Sequence, residues 1–298
     1  MAEAVAAPRR DEPIVIGEPR TAKLARVFEK VPLNAFLLAV AIMWLVPTIG
    51  LLFTSLLAPE DFQEQGWWQI FTEPAKLTFE NYDAVFANET IMDSLGVTAL
   101  VAVFGTLIPI FVAALAGYAF AWLEFPGRDW WFILVVALMV VPIQMALIPM
   151  FQLYTDVGIF DTIVGLVLFH TAFGLPFAIF LLRNYFIGIP KDLMEAARID
   201  GASEMRIFLT IILPLGLPAI ASLATFQFLW TWNDLLVALV FARETQPITV
   251  AIFSQLRQFG ANIELIAPAT FVSLIVPLIV FFALQRYFVQ GLLAGSVK

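Results

Sequence analysis

Long apolar stretches alternate with short polar segments along almost the whole chain. A helix needs about 20 mostly apolar residues to cross the hydrocarbon core of a bilayer. Stretches of that length predict an all-α membrane protein with six transmembrane helices and both termini on one side. The predicted spans are Leu33–Leu57, Ser94–Leu123, Trp131–Tyr154, Ile163–Leu182, Leu213–Leu235 and Ile266–Phe288.

The segments outside the spans are polar. Residues 1–32 lack the apolar core of a cleavable signal peptide and are predicted to form a cytoplasmic tail. Residues 58–93 form the longest outer loop, which is too short for a separate domain and rich enough in aromatic residues to lie at the membrane interface. Residues 237–265 are predicted to include a re-entrant or surface helix. Internal prolines, such as Pro142 and Pro149 in the third span, are predicted to bend their helices.

The composition indicates a membrane protein and excludes several classes of function. Hydrophobic residues make up 61% of the 298 residues and the mean hydropathy is +0.90, which excludes a soluble globular domain. The chain has no Cys and one His, which excludes disulfides and thiolate metal sites and leaves little room for a His-rich metal site. No G-x-x-x-x-G-K-S/T phosphate loop occurs, so the chain is not expected to hydrolyse ATP.

The distribution of basic residues predicts the orientation in the membrane. All Lys and Arg residues except Lys76, Arg243 and Arg257 fall in segments on one side of the predicted spans. Because cytoplasmic loops of membrane proteins carry the excess of Lys and Arg, this side is cytoplasmic. Both termini and the segment Ile189–Pro214 are therefore predicted to lie in the cytoplasm.

The segment Ile189–Pro214 is a charged interruption of the apolar pattern, and it predicts an elbow of two helices. Pro190 suits a first helical position, and Lys191–Asp200 can continue as about three helical turns. Gly201 fits the left-handed position that follows a helix, and Ser203 can cap a second, short helix.

The first helix of this elbow has an apolar face of Leu193, Ala196 and Ala197 at helical spacing. Glu195 and Arg198 lie beside that face and could pair with each other or with charges on a partner. Two interpretations stay open from these residues alone. The helix either docks into a groove of another protein, or it lies on the membrane surface and only links two spans.

The spacing inside the elbow resembles a family motif. Glu195–Ala197, three further residues, Gly201, nine further residues and then Ile211–Pro214 fill every position of the EAA motif. That motif is typical of the membrane subunits of binding-protein-dependent ABC importers, which this chain resembles.

Further segments resemble the carbohydrate branch of that family. These are Leu77–Tyr82 in the outer loop, Tyr118–Ala121 followed by Phe125–Arg128, Trp232–Asp234 in the fifth span, and the C-terminal Gly291–Lys298. Together they resemble the smaller, six-span permease subunit of the maltose-type importers, over the chain from about residue 33.

This resemblance implies the type I ABC importer permease fold, with residues 189–214 as the cytoplasmic coupling loop and 289–298 as a cytoplasmic tail. The coupling helix would insert into a cleft of an ATPase subunit, with Glu195 as the ion-pair residue and Gly201 as the hinge. The implied contact residues are Glu195, Ala196, Ala197, Arg198, Gly201 and Ser203 in the elbow, and Gly295, Ser296, Val297 and Lys298 in the tail.

The same resemblance implies the partners and the role of the chain. The complex would contain a second, larger permease subunit, two ATPase subunits and an extracytoplasmic sugar-binding protein, in contact with lipid in the inner (plasma) membrane of a prokaryote; no nucleic acid is implied. ATP and Mg²⁺ would bind to the ATPase subunits. This chain would be a non-catalytic subunit without a cofactor, forming half of a sugar path by alternating access.

Polar and aromatic residues within the spans are candidates for a substrate path, because polar groups in the membrane are costly. Each has an alternative role as an interhelical hydrogen bond or an interfacial anchor, and His170 in particular fits a packing role. Trp230 and Trp232 could stack on a sugar ring. The candidates are Gln144, Gln152, His170, Gln227, Trp230, Trp232, Asn233 and Asp234.

Two other functions are weighed against an importer. A secondary transporter of small polar solutes is the alternative, and it would be expected to place ionisable residues in mid-membrane, where this chain has almost none. An intramembrane hydrolase would need a nucleophile–base pair or a metal cluster, and the chain has neither an H-E-x-x-H nor a G-x-S-x-G motif. The sequence does not indicate which sugar would be transported.

Overall fold

The computed structural model describes residues 20–58, 60–61, 66–256 and 263–294, with side chains between residues 31 and 287 in these ranges. The chain divides into two compact units, Met1–Gly50 and Leu51–Lys298. Helix α1, Arg20–Ser55, contains the described part of the first unit. Apolar side chains are exposed along it, including Trp44 at 75%. A helix this apolar suits lipid or a partner protein rather than water.

The described residues of the second unit are helical apart from turns, two short 3₁₀ helices in the outer loop and one bridge between Leu57 and Leu77. The α-helices are α2 (Glu80–Ala87), α3 (Glu89–Trp122), α4 (Arg128–Leu138), α5 (Ile143–Asp156), α6 (Ile163–Ile187), α7 (Lys191–Ile199), α8 (Glu204–Ile207), α9 (Leu213–Trp232), α10 (Leu236–Phe241), α11 (Ile248–Leu256) and α12 (Ile263–Ala294). A π-helical segment, Phe208–Ile212, joins α8 to α9.

The predicted all-α membrane fold is confirmed in the described residues. Five continuous helical segments are long and apolar enough to cross a membrane, and the bent pair α4–α5 makes a sixth span if it crosses the membrane as one unit. The predicted outer segment 237–265 contains the short helices α10 and α11. Residues 1–19, Arg257 and the tail Gly295–Lys298 lie outside the described residues.

The third predicted span, Trp131–Tyr154, contains the bend that its internal prolines predict, and this bend is large. Helices α4 and α5 meet at 97° around a break of a few residues. The cause is Pro142, which lacks an N–H group and has ψ of 132°, outside the helical region. Proline also disfavours the helical conformation of the residue before it. The sequence argument predicted a bend here but not one of this size.

Helices α3, α6, α9 and α12 form the packed centre of the second unit. α3 lies along α6, and α9 contacts α3, α6 and α12. Small residues allow this close approach, because a Cβ atom at Gly117 of α3 would lie 3.1 Å from the backbone nitrogen of Arg183 on α6. Ala113 and Ala114 on α3 are buried in the same contact region. Small residues at helix interfaces are typical of packing in membranes.

The outer loop folds back on the end of α1 within the second unit. Asn81 donates its Nδ2 to the carbonyl oxygens of Ser55 at 3.1 Å and Leu57 at 2.7 Å. The hydroxyls of Ser55 and Tyr82 lie 2.7 Å apart. These bonds satisfy carbonyl groups at a helix end and hold α2 against it.

The turn between α5 and α6 is clamped to the loop after α10. Asp161 has a positive φ of 57°, which is uncommon for a residue other than glycine. Its carboxylate accepts hydrogen bonds from three successive backbone N–H groups, those of Arg243 at 2.9 Å, Glu244 at 3.1 Å and Thr245 at 3.1 Å. Such a row of N–H groups is a local anion-binding site, which here holds a carboxylate of the same chain.

Candidate functional site

The elbow at residues 189–214 has the turn geometry that the sequence predicts. Gly201 has φ of 78°, in the left-handed region. Its N–H donates to the carbonyl of Arg198 at 3.0 Å, and the N–H of Ala202 donates to the carbonyl of Ala197 at 2.9 Å, which is the paired pattern that ends a helix before a left-handed glycine. Ser203 caps α8 by accepting from the N–H of Arg206. Pro190 precedes α7 rather than occupying its first position.

The apolar face predicted on α7 is divided between two surroundings. Ala197 packs with the fully buried Met194 against the hydrophobic core of the chain. Leu193 and Ala196 remain exposed, together with Ile199, which is 86% exposed and which the sequence argument did not single out. An exposed apolar edge of this kind on a charged helix fits contact with another protein.

Glu195 lies at the surface of α7 in a position open to a partner. Its carboxylate forms an i,i+4 ion pair with the ammonium of Lys191 at 2.7 Å, and both side chains are largely exposed. This neighbour holds the pKa of the Glu195 carboxyl below its usual range. Glu195 is therefore ionised at neutral pH, as an ion-pair residue must be. The pairing of Glu195 with Arg198 considered from the sequence is not formed.

Arg198 instead belongs to a group of side chains that sequence reasoning missed. Its Nε donates to Oε1 of Glu204 at 2.8 Å, and its Nη2 donates to Oε2 of the same carboxylate at 3.2 Å. Nη2 also reaches the carbonyl oxygen of Trp122, at 3.4 Å, at the end of α3. The hydroxyl of Tyr118, also on α3, donates to Oε2 of Glu204. The sequence signal was the segment containing Tyr118, which was recognised but given no role.

A pocket of about 350 Å³ opens between α6 and α9. Gln227 is the polar side chain in the lining of this pocket. The Nε2 of Gln227 donates to the backbone carbonyls of Gly105 at 3.0 Å and His170 at 3.4 Å. These bonds orient the amide and join α9 to α3 and α6. The lining is otherwise apolar and mainly aromatic, and consists of Phe173, Gly174, Phe177, Leu223, Phe226, Gln227 and Trp230.

His170 lies beside this pocket and is almost fully buried, at 1% exposed. Its Nε2 is 3.6 Å from Oδ2 of Asp234, and its ring meets the ring of Trp230 edge to face at 5.0 Å. Asp234 also accepts from the backbone N–H groups of Val237 at 3.2 Å and Ala238 at 3.0 Å, so it caps α10. Both residues thus have packing and capping contacts.

The remaining candidates of the predicted path do not line this pocket. Trp232 is 2% exposed and donates its Nε1 to the carbonyl of Ser273 on α12 at 3.1 Å. Asn233 is exposed and donates to the carbonyl of Leu229 on its own helix. Gln144 and Gln152 are exposed on α5. Among the described residues, no cluster of His, Asp and Glu that could hold a metal ion occurs.

The described residues thus combine helices that are long and apolar enough to span a membrane with a polar elbow between two of them. Residues 109–293 match the family described as "Binding-protein-dependent transport system inner membrane component". The match covers more than half of the chain and includes the elbow. The chain belongs to this family, the multi-pass membrane components of ABC importers.

Named relatives align over most of the chain. It is 46% identical over 93% of its length to the "Osmoprotective compounds uptake permease protein GgtD" of Synechocystis sp., of which it covers 95%. It is 52% identical over 76% of its length to the "Alpha-glucoside transport system permease protein AglG" of Rhizobium meliloti, of which it covers 62%. Similarity of this extent supports a permease with the same fold and the same general role.

A solved structure agrees on the fold. A chain of a bacterial ABC transporter involved in the import of the acidic polysaccharide alginate superposes with a TM-score of 0.72 at 24% identity. The match covers 91% of this chain and 99% of that one. The importer permease fold predicted from the sequence is therefore confirmed.

Proposed function

We propose that the protein is a permease subunit of an ATP-driven sugar importer, and that it couples to a separate ATPase through the elbow 189–214. The observation that carries the proposal is the EAA spacing folded into an elbow whose helix α7 exposes Leu193, Glu195 and Ala196 at the surface. The membership of the importer family supports it. The chain itself is a non-catalytic subunit, with ATP and Mg²⁺ held by the ATPase subunits.

The elbow has the features that a mechanical coupling element needs. Its helix is short and ends in a fixed turn at Gly201, so it can move as one piece. An ATPase that closes on ATP would displace a helix seated in its groove, and the spans would convert that displacement into alternating access. Glu195 supplies a charge for a basic residue of the ATPase, and Ala196 allows close approach.

The proposed complex contains a second, larger permease subunit, two ATPase subunits and an extracytoplasmic sugar-binding protein. The family description, which names a binding-protein-dependent system, supports the last of these. Both termini are proposed to be cytoplasmic, on the distribution of basic residues. The tail Gly295–Lys298 is proposed to contact the ATPase subunits.

The proposed solute is an uncharged sugar, with α-glucosides as the first class to test. The printed name of AglG, an α-glucoside permease, supports this class. The pocket between α6 and α9 supports it chemically, since no charged residue lines it and its aromatic side chains suit the apolar faces of sugar rings. Gln227 and Trp230 are the path candidates that line this pocket, with His170 and Asp234 beside it. Gln144, Gln152, Trp232 and Asn233 stay predictions.

Reconstitution tests the proposed function. The complete complex is placed in liposomes with its binding protein, and uptake of labelled α-glucosides is followed with and without ATP. We expect uptake only when ATP, the ATPase subunits and the binding protein are all present. The control is the same complex with an ATPase that binds but does not hydrolyse ATP. Uptake by this chain without an ATPase would instead support the secondary transporter.

A further inference from the structure

A cluster of three side chains, Arg198, Glu204 and Tyr118, connects the elbow to helix α3. We call it the anchor cluster. Arg198 at the end of α7 binds both carboxylate oxygens of Glu204 at the start of α8, at 2.8 and 3.2 Å. Tyr118 of α3 donates to one of those oxygens. A two-point guanidinium–carboxylate contact fixes direction as well as distance.

The anchor cluster continues into the centre of the bundle. Tyr118 is 4% exposed, and its ring lies 5.4 Å from the ring of Phe208, the first residue of the π-helical segment. Trp122, whose carbonyl accepts from Arg198, donates its own Nε1 to the carbonyl of Phe186 on α6 at 3.0 Å. The cluster therefore contacts both ends of the elbow turn, and through α3 it reaches α6 and α9.

Apolar contacts alone already attach α7 to the bundle. Met194 is fully buried in the hydrophobic core, and Ala197 packs beside it. Apolar packing is not directional, so a helix held only in this way can slide or rotate on the surface beneath it. Hydrogen bonds do depend on direction, because they weaken steeply once the donor angle falls below about 120°. The anchor cluster adds what the apolar contacts lack, which is a fixed orientation of the elbow relative to α3.

The π-helical segment is the other connection between the elbow and the bundle. It joins α8 to α9 directly behind the elbow, over Phe208–Ile212. Short π-helical segments are places where a helix carries an irregular hydrogen-bond pattern. A movement of the elbow that passed only through this segment could be absorbed there. The contact of Glu204 with Tyr118 offers a second route, which goes to α3 and bypasses the π-helical segment.

We propose that the anchor cluster transmits the movement of α7 to α3, so that Arg198, Glu204 and Tyr118 are positioning residues for coupling rather than ATPase contacts. This inference rests on the proposed function, because it assumes that an ATPase moves α7. It assigns Arg198 to the permease side of the coupling step, whereas the family resemblance placed it on the ATPase side.

The experiment compares Tyr118→Phe and Glu204→Gln with wild type in the reconstituted complex, measuring ATP hydrolysis and solute uptake in the same liposomes. Tyr118→Phe removes only the hydroxyl, and Glu204→Gln removes the charge and replaces one of the two acceptor oxygens with an N–H donor. We expect hydrolysis to stay within about twofold and uptake per ATP to fall about tenfold, as for the loss of one hydrogen bond to a charged group. The double variant Arg198→Glu with Glu204→Arg keeps the ion pair with its two charges exchanged. We expect it to recover part of the uptake per ATP that Glu204→Gln loses.

A matched control is Tyr185→Phe on α6, a half-buried position, which removes a hydroxyl that donates to the carbonyl of Leu215 at 3.3 Å. We expect its uptake per ATP to equal that of wild type. An unchanged ratio in both Tyr118→Phe and Glu204→Gln overturns the proposal. Parallel loss of ATPase binding, hydrolysis and thermal stability also overturns it, because the cluster would then be only structural. Uptake without ATP in the wild-type complex would instead show that the proposed function fails.

Discussion

Gly174 on α6 determines where the amide of Gln227 can lie. A Cβ atom at this position would be 2.5 Å from Nε2 and 2.6 Å from Oε1 of Gln227. The missing side chain therefore allows the amide to pack on α6 and to reach the carbonyls of Gly105 and His170. The absence of a side chain at Gly174 thus determines where the amide of Gln227, the polar group of the pocket lining, lies.

Gly174→Ala should displace Gln227 and weaken solute uptake. The added methyl group overpacks a buried contact, which costs about 1–3 kcal/mol of stability. The matched control is Gly96→Ala on α3, where a Cβ atom meets nothing within 4 Å. We expect a higher KM for uptake and a lower Tm in Gly174→Ala, and neither change in Gly96→Ala. Equal KM values in the two variants would show that Gln227 does not take part in solute binding.

At the scale of elements, the elbow depends on one left-handed residue. Gly201 has φ of 78°, and a Cβ atom there would meet nothing within 4 Å. Any cost of a side chain at this position therefore comes from the backbone, not from crowding. Gly158 in the outer turn after α5 has the same two properties, with φ of 74°.

Gly201→Ala and Gly158→Ala form a pair with equal strain at opposite ends of the protein. Each should lower the free energy of unfolding by about 1 kcal/mol, the cost of a Cβ atom in the left-handed region. We expect only Gly201→Ala to lower uptake per ATP, because only that turn sets the angle between α7 and α8. The measurements are Tm of the purified complex and uptake per ATP in liposomes. A similar fall of the ratio in Gly158→Ala would contradict a special role for the elbow turn.

At the scale of the whole molecule, the broken third span is tested by cysteine labelling. The chain has no Cys, so single substitutions can be labelled without background. Asp129 at the start of α4 and Asp156 at the end of α5 are both exposed. We expect an impermeant maleimide to label Asp156→Cys in intact cells stripped of the outer envelope, and Asp129→Cys only after permeabilisation. Labelling of both from one side would make α4–α5 a re-entrant pair instead of a span.

The sequence was sufficient for features that depend on local pattern. Apolar length predicted the spans, and glycine and serine chemistry predicted the turn at Gly201 and the cap at Ser203. The same reasoning predicted a bend at Pro142 but not its size, because the angle between two helices is set by how each of them packs.

Features that depend on contacts between distant residues could not be predicted from the sequence. Tyr118 and Glu204 are 86 positions apart, and no periodicity along the chain brings them together. The placement of Trp232 against α12 was missed for a related reason, since the sequence gives its span but not which neighbour its side chain faces. A list of polar residues in spans therefore mixes pocket residues such as Gln227 with packing residues such as Trp232.

The carboxylate of Asp161 has a mechanical consequence. It ties the N-terminal end of α6 to the loop at Arg243–Thr245 through three backbone N–H groups, far along the chain from the elbow. Helix α6 is thus restrained at its N-terminal end and contacted, through Trp122 and Phe186, near its C-terminal end. A force applied at the C-terminal end, beside the elbow, would rotate α6 about the restrained end, so that the largest displacement occurs where the force is applied.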